Sequence, residues 1–175
     1  LSIDVDWSVN LDLIPSAEGR TLTINQAMFA IGFNRPMPSF AASDIATSAT
    51  GANDLHTADI DGDGDLDIVS ASYSDNTIAW YENDGNSDPT WTAYDIVTNA
   101  SGARTIYVAD MDGDGDLDIV SASKGDDKIA WYENNGDGTS WTTAVIATSA
   151  QDAIGVHVAD MDGDGDLDIV SASEG

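Results

Sequence analysis

Hydrophobic and polar residues alternate with a period of two along much of this chain, and such alternation predicts β-strands. The clearest case is residues 1–13, where every odd position is apolar and every even position is polar. We expect a long amphipathic strand here, then a turn marked by Pro15 and Gly19, and a second strand at residues 21–25. No stretch combines a helical period with capping residues, so the sequence predicts an all-β protein.

The same pattern recurs along the rest of the chain as an internal repeat. Residues 109–123 read ADMDGDGDLDIVSAS, residues 159–173 are identical, and residues 58–72 differ only at Ile60. The repeats are spaced by 51 and 50 residues, counted from Asp59 to Asp110 and on to Asp160. A second segment, IAWYEN, occurs at 78–83 and again at 129–134. Self-similarity at a fixed period of this length indicates a repeat architecture.

Each repeat contains four strand candidates, which in the second are residues 104–110, 117–123, 128–134 and 141–148. Four antiparallel strands in about fifty residues is the size of a propeller blade. We therefore expect β-propeller-type blades preceded by an N-terminal β segment. The predicted division is 1–40 for that segment, which is a candidate inter-subunit strand, 41–91 for repeat 1, 92–141 for repeat 2, and 142–175 for an incomplete repeat 3.

Aromatic residues at recurring positions predict packing between the repeats, with a stacking platform for a ligand as the alternative. These residues are Trp80, Tyr81, Trp131 and Tyr132. His56 and His157 share a phase of the repeat with Tyr107. A position that accepts Tyr favours a packed aromatic residue over a catalytic base.

Composition narrows the classes of partner. The formal net charge is −27, with 32 acidic residues against five basic ones, and 28 of the acidic residues are Asp. Such a chain repels nucleic acid and anionic membrane surfaces and attracts cations. There is no Cys, and no apolar run approaches the roughly 18 residues that a membrane span requires. No signal peptide is visible, and the start at Leu1 suggests a processed or truncated chain.

The Asp residues concentrate in a loop of pattern D-x-D-G-D-G-D-L-D, which carries five carboxylates in nine residues and no Lys or Arg. A hard divalent cation would relieve the repulsion, and calcium takes six to eight oxygens from a flexible loop. We expect positions 1, 3 and 5 to converge, position 7 to offer its carbonyl with its side chain outward, and position 9 to close the shell. Magnesium demands a tighter octahedron and zinc prefers His or Cys. The alternative is a solvated acidic turn without an ion.

The loop starts like an EF-hand, but the twelfth position counted from Asp59 is Ser70, and a predicted strand follows instead of a helix. Together with LDIVSAS and IAWYEN, the loops resemble the FG-GAP/VCBS-type calcium-binding repeats of β-propellers over residues 41–175. The resemblance implies about one Ca²⁺ per repeat, three in this chain. The implied ligands are Asp59, Asp61, Asp63, Asp65 and Asp67; Asp110, Asp112, Asp114, Asp116 and Asp118; and Asp160, Asp162, Asp164, Asp166 and Asp168.

Two full repeats and one partial repeat are too few to close a propeller of four to eight blades. Because calcium sites of millimolar affinity would be filled outside the cell but not by cytosolic calcium, we expect an extracellular or cell-surface calcium-binding protein with a structural or adhesive role. A sharper hypothesis is a fibre subunit that binds copies of itself, with residues 1–13 adding a strand to an open sheet edge. The alternative to a fibre is a fragment or an ordinary surface protein in which residues 1–13 belong to a small local β-domain. The alternative is a glycan- or protein-binding module of a larger secreted protein. No catalytic motif is present, so we expect no enzymatic activity.

Overall fold

A computed structural model describes residues 44–174. Within this part the chain forms ten β-strands and no helix, which confirms the all-β prediction. The strands are β1 (Ala52–Ala58), β2 (Asp67–Ser72), β3 (Thr77–Asn83), β4 (Trp91–Val97), β5 (Ala103–Ala109), β6 (Asp118–Ser123), β7 (Lys128–Asn134), β8 (Trp141–Ala147), β9 (Ala153–Ala159) and β10 (Asp168–Ser173). The predictions for residues 1–40 lie outside the described residues.

Strands that are neighbours in sequence pair antiparallel and form three sheets. The first sheet is β1-β2-β3-β4, the second is β5-β6-β7-β8, and the third contains β9 and β10. The predicted four-stranded antiparallel units are thus present in the first two sheets. Grouped by hydrogen bonding these units span 52–97 and 103–147, whereas the sequence-based division follows the repeat period and cuts near the start of the fourth strand.

The second sheet is covered on both faces. Its residues Ile106, Ile119 and Tyr132 pack against Val69 and Trp80 of the first sheet in one apolar cluster. Its opposite face packs against the third sheet in a second apolar cluster. This cluster contains Val120, Ala122, Ile129, Ala153 and Val158. Sheets buried on both faces read as nearly continuous apolar runs, which explains the IVSA core of the repeated segment.

Burial of the repeated segment DIVSAS depends on the position of its sheet. All six residues are buried in β6, whereas the last four of β10 are exposed. Val120 in β6 is 0% exposed, and Val170 at the same position of β10 is 46% exposed. The same amino-acid sequence therefore makes a central core in one sheet and a solvent-facing surface in another.

In the first two sheets, the turn between the second and third strands forms hydrogen bonds to the segment that begins the next sheet. Asn76 has a φ of +60° and accepts a hydrogen bond at its Oδ1 from the Gly102 amide at 2.8 Å, while its carbonyl accepts one from Ala100. Asp127 repeats this arrangement with the Asp152 amide at 2.8 Å. These local bonds fix how consecutive sheets stack.

The aromatic residues lie within and between the sheets. Tyr107 lies between His56 and His157, with ring centroids at 5.7 and 4.8 Å. Trp80 is buried and stacks on Tyr94 at 4.9 Å. The packing interpretation therefore accounts for both histidines and for Trp80.

Candidate metal centres

Each acidic loop connects the first two strands of a sheet, at residues 59–66, 110–117 and 160–167. The backbone curls at the two glycines of each loop. In the first loop, Gly62 and Gly64 have φ values of +75° and +98°, which other residues adopt only at a cost. No atom lies within 4 Å of where their Cβ atoms would be, so the glycines are required by backbone conformation and not by crowding.

Hydrogen bonds within the loop orient its first carboxylates. In the first loop, Asp59 Oδ2 accepts from the Gly64 amide at 3.0 Å, Asp61 Oδ1 from Asp63 at 3.2 Å, and Asp63 Oδ1 from Asp65 at 2.9 Å. The second and third loops repeat these bonds at the equivalent positions. In Asp61 and Asp63, one oxygen is thus held by the backbone while the other remains available to a cation.

The ninth-position carboxylates of the first two loops are anchored from two sides. Asp67 is fully buried, and its oxygens accept hydrogen bonds from the Ile60 and Asn83 amides, both at 2.9 Å. Asp118 is held in the same way by Met111 at 3.0 Å and Asn134 at 2.8 Å. Asp168 is half-buried and accepts from Met161 alone within the described residues. Position 9 is therefore rigid in the first two loops.

The structure brings three carboxylates of each loop together, with one oxygen from each within 4.8 Å of the others. These groups are Asp59, Asp61 and Asp67; Asp110, Asp112 and Asp114; and Asp160, Asp162 and Asp168. The other predicted ligands lie in the same loops but outside these groups, and they are Asp63, Asp65, Asp116, Asp118, Asp164 and Asp166. Each acidic cluster can hold a metal ion.

The seventh aspartates of the first two loops lie outside the three-carboxylate groups, each beside a glycine of a neighbouring turn. The Asp65 carboxylate lies against Gly85 in the β3–β4 turn, so a side chain at position 85 would have to displace it. The carboxylate of Asp116 lies near Gly136 in the equivalent turn of the second sheet. Because glycine has no side chain, the neighbouring turn leaves room for each carboxylate, and the backbone-carbonyl role expected of position 7 stays a prediction.

The electrostatics of the loops favour a bound cation. Asp59 Oδ1 is buried and has no hydrogen-bond donor, which is costly for a carboxylate oxygen. Burial raises the pKa of Asp61, Asp67 and Asp118, and neighbouring carboxylates raise it further, although backbone amides act in the opposite direction. A set made only of oxygen ligands fits a hard divalent cation such as calcium.

The structure also assigns a role that the sequence interpretation missed. Asn83 and Asn134, at the end of each IAWYEN segment, donate to the ninth aspartate and to the carbonyl of position 8. Their recurrence at the same phase was the available signal. Asparagine is not a charged ligand, so a search for cation-binding groups passes over it.

The fold and the loops define an all-β repeat protein whose units each carry an acidic cluster. A family model described as an FG-GAP-like repeat matches the chain twice, over residues 59–121 and 110–171. These matches together cover more than half of the chain, which therefore belongs to the FG-GAP-like repeat family. No curated protein matches the chain significantly. Residues 44–174 contain no helix capable of crossing a membrane.

Proposed function

We propose that this chain is a calcium-binding structural or adhesive module of an extracellular or cell-surface protein, without enzymatic activity. The observation that carries the proposal is the convergence of three carboxylates in each loop, together with the buried, donor-free Oδ1 of Asp59. When bound, calcium would supply positive charge that neutralises these oxygens. The loop residues would hold the ion, and the anchored Asp67 and Asp118 would keep the shell attached to the sheets.

The setting supports calcium at extracellular concentration. The loops are short, curl at glycines with positive φ and carry only oxygen ligands, which suits calcium better than magnesium or zinc. A cation that binds only the folded state stabilises it by mass action. Extracellular calcium-binding modules typically bind with affinities of about 10⁻⁴–10⁻³ M, which cytosolic calcium does not saturate.

The arrangement of the sheets supports a propeller-type architecture. The first strands of the three sheets are neighbours, with β5 lying between β1 and β9. Consecutive four-stranded antiparallel sheets that meet through their first strands are the arrangement of propeller blades. We therefore extend the proposal to blades that stack around a common axis.

Assembly into a fibre is a more specific form of the structural role. Within residues 44–174, β10 pairs only with β9, and its outer edge has no strand beside it. An exposed edge of this kind can accept a strand from another chain. Residues 1–13 are the strand that the sequence predicts for this contact.

Binding of a glycan or another surface protein is the alternative use of the same module. A cavity of about 390 Å³ on the exposed face of the first sheet, lined in part by Leu55, Ile68 and Tyr81, favours it. Soluble polysaccharides titrated against the folded chain test this alternative. Binding that is lost in Leu55→Asp, with the calcium response unchanged, is the supporting result.

Calorimetric titration with calcium tests the central proposal. We expect three ions per chain, and removal of one site by the paired substitutions Asp110→Asn and Asp112→Asn should lower the number to two. Titration with magnesium at the same concentrations is the matched control and should give weaker binding. A chain that takes up no calcium would refute the proposal.

A further inference from the structure

A continuous hydrogen-bond path connects the first two acidic loops through Asn134. Asp67 Oδ2 accepts from the Ile60 amide at 2.9 Å. The Ile60 carbonyl accepts from Asn134 Nδ2 at 2.9 Å, and the Asn134 amide donates to Asp118 Oδ1 at 2.8 Å. The path thus runs from the ninth aspartate of the first loop to the ninth aspartate of the second.

The path lies in a buried and tightly packed setting. Ile60 belongs to the first loop, yet its side chain is 2% exposed and sits in the core between the first two sheets. Gly138 of the second sheet lies so close that a Cβ there would meet both Ile60 and Trp80. Trp80 Nε1 donates to the Gly138 carbonyl at 2.8 Å. The first loop is therefore clamped onto the second sheet.

Asn134 is the point where these contacts meet. Its Oδ1 accepts from the amides of Gly136 and Gly138, and its Nδ2 donates to Leu117 of the second loop as well as to Ile60. Asn134 is itself almost fully buried. A displacement of either loop would break hydrogen bonds that hold the other. Such a break is costly, because a buried polar group that loses its partner carries the full penalty of its desolvation.

The equivalent asparagine of the first sheet provides an internal comparison. Asn83 donates to Asp67 and Leu66 of its own loop and accepts from Gly85. Among the described residues it makes no bond to a preceding loop. The two asparagines therefore share the contacts within a repeat and differ in the contact between repeats.

We propose that the first two loops bind their cations with positive cooperativity, and that Asn134 is the positioning residue that transmits it. An ion in one loop fixes the peptide or carboxylate that Asn134 bonds, so the other loop is held in the geometry that its own ion requires. Coupling of this kind is reciprocal. The inference rests on cation binding by the loops, as proposed above, and adds a regulation of those sites.

Electrostatics alone predicts the opposite sign. Each bound calcium removes negative charge from a chain of −27, which weakens the attraction for the next ion. At about 0.15 M salt this long-range effect is screened beyond roughly 8 Å. Positive coupling therefore requires a structural link.

The experiment compares calcium affinities in chains with one or two active loops. Asparagine retains the carbonyl oxygen that accepts each loop hydrogen bond, so paired Asp→Asn changes remove charge with little effect on the loop. The third loop is silenced throughout, and the first and second are silenced singly. The pairs are Asp61→Asn with Asp63→Asn, Asp112→Asn with Asp114→Asn, and Asp162→Asn with Asp164→Asn.

We expect the product of the two calcium association constants of the two-site chain to exceed the product of the constants of the two single-site chains. The ratio of these products should be at least about 5, since couplings of 5- to 150-fold are typical. Asn134→Ala should bring this ratio to about 1 or below. Asn83→Ala is the matched control and should weaken the first site while leaving the ratio unchanged. The comparison of two-site and single-site chains that retain Asn134 tests the coupling even where Asn134→Ala fails to fold.

The outcomes separate the two proposals. Calcium binding with a ratio of 1 or below in the chain with intact Asn134 overturns the coupling and leaves the proposed function standing. A ratio that survives in folded Asn134→Ala overturns the role of this residue. The absence of any calcium binding overturns both.

Discussion

At the residue scale, the ninth aspartate of each loop has the same neighbours in sequence but different hydrogen bonds in the structure. Asp118 accepts two backbone amides, and Asp168 accepts one. Asparagine has one acceptor oxygen, so it can replace the carboxylate at position 168 but leaves a buried amide unpaired at position 118. We expect Asp118→Asn to lower the free energy of unfolding by about 1–3 kcal/mol more than Asp168→Asn.

Denaturant unfolding of both variants in EDTA measures this difference. Both changes remove one negative charge from the same loop position, so electrostatic relief cancels in the comparison. Equal losses of stability would mean that the second amide contact of Asp118 contributes nothing.

The pKa values of the buried loop carboxylates give a pH dependence with a defined sign. Burial raises the folded-state pKa of Asp61, Asp67 and Asp118 above 3.8, so without metal the folded state binds protons more tightly than the unfolded chain. Their contribution is present below about pH 4 and is lost as the pH rises through the folded values. We expect the metal-free chain to have a higher free energy of unfolding at pH 5 than at pH 7.

Calcium should reverse this order, because the ligands must be deprotonated to bind it. The lowered pKa of Asp84, about 2 because the Thr90 hydroxyl donates to it, affects stability only below about pH 4 and does not interfere. Urea titrations at both pH values, with EDTA and with saturating calcium, provide the test. A metal-free chain that is more stable at pH 7 would contradict the assigned pKa directions.

At the element scale, three strands of identical sequence have three levels of burial. Val120 in β6 is fully buried, whereas nearly half of the surface of Val170 in β10 is exposed to solvent. Val→Ala removes two methyl groups, and each buried carbon contributes about 0.8 kcal/mol. We expect Val120→Ala to cost about 2 kcal/mol, including a small cavity, and Val170→Ala to cost less than about 0.5 kcal/mol.

Thermal or chemical unfolding of the two variants in saturating calcium checks this expectation. Since the two strands share one sequence, propensity is the same in both and only packing differs. Similar losses for both would imply that Val170 is covered by a surface outside residues 44–174.

These strands also show how much of the structure could be predicted from the sequence. The period-two pattern predicted the bounds of β7 at Lys128 and Asn134, because alternation and turn residues are local properties. The acidic clusters could be predicted equally well, since the repulsion among five carboxylates in nine residues must be relieved locally. The role of Asn134 could not be predicted, because its hydrogen bond to Ile60 spans 74 residues and depends on how the sheets stack. The contact between the Asp65 carboxylate and Gly85 could not be predicted either, because the two residues are neighbours only in three dimensions.

At the scale of the whole molecule, the dominant feature is a formal net charge of −27, with 15 of the 32 acidic residues in the three loops and only five basic residues in the chain. The three ion pairs among the described residues involve only Lys124 and Lys128 with exposed or partly exposed partners. Surface pairs of this kind contribute about 0–1 kcal/mol each. They do not compensate the loops, which lie elsewhere, so we expect the stability of the sheets to depend on cations from solution.

Removal of calcium should therefore destabilise the entire stack and not only the loops. A site exposed to calcium at 100 times its dissociation constant contributes about 2.7 kcal/mol of mass-action stability. Three such sites would act on sheets that pack against one another through two apolar clusters. We expect EDTA to lower the unfolding temperature strongly, and magnesium at equal concentration to restore less of it than calcium. Sedimentation in calcium distinguishes the assembly forms: long particles support the fibre, and a stabilised monomer supports a single module. An unfolding temperature that EDTA leaves unchanged would mean that the acidic loops hold no structural metal.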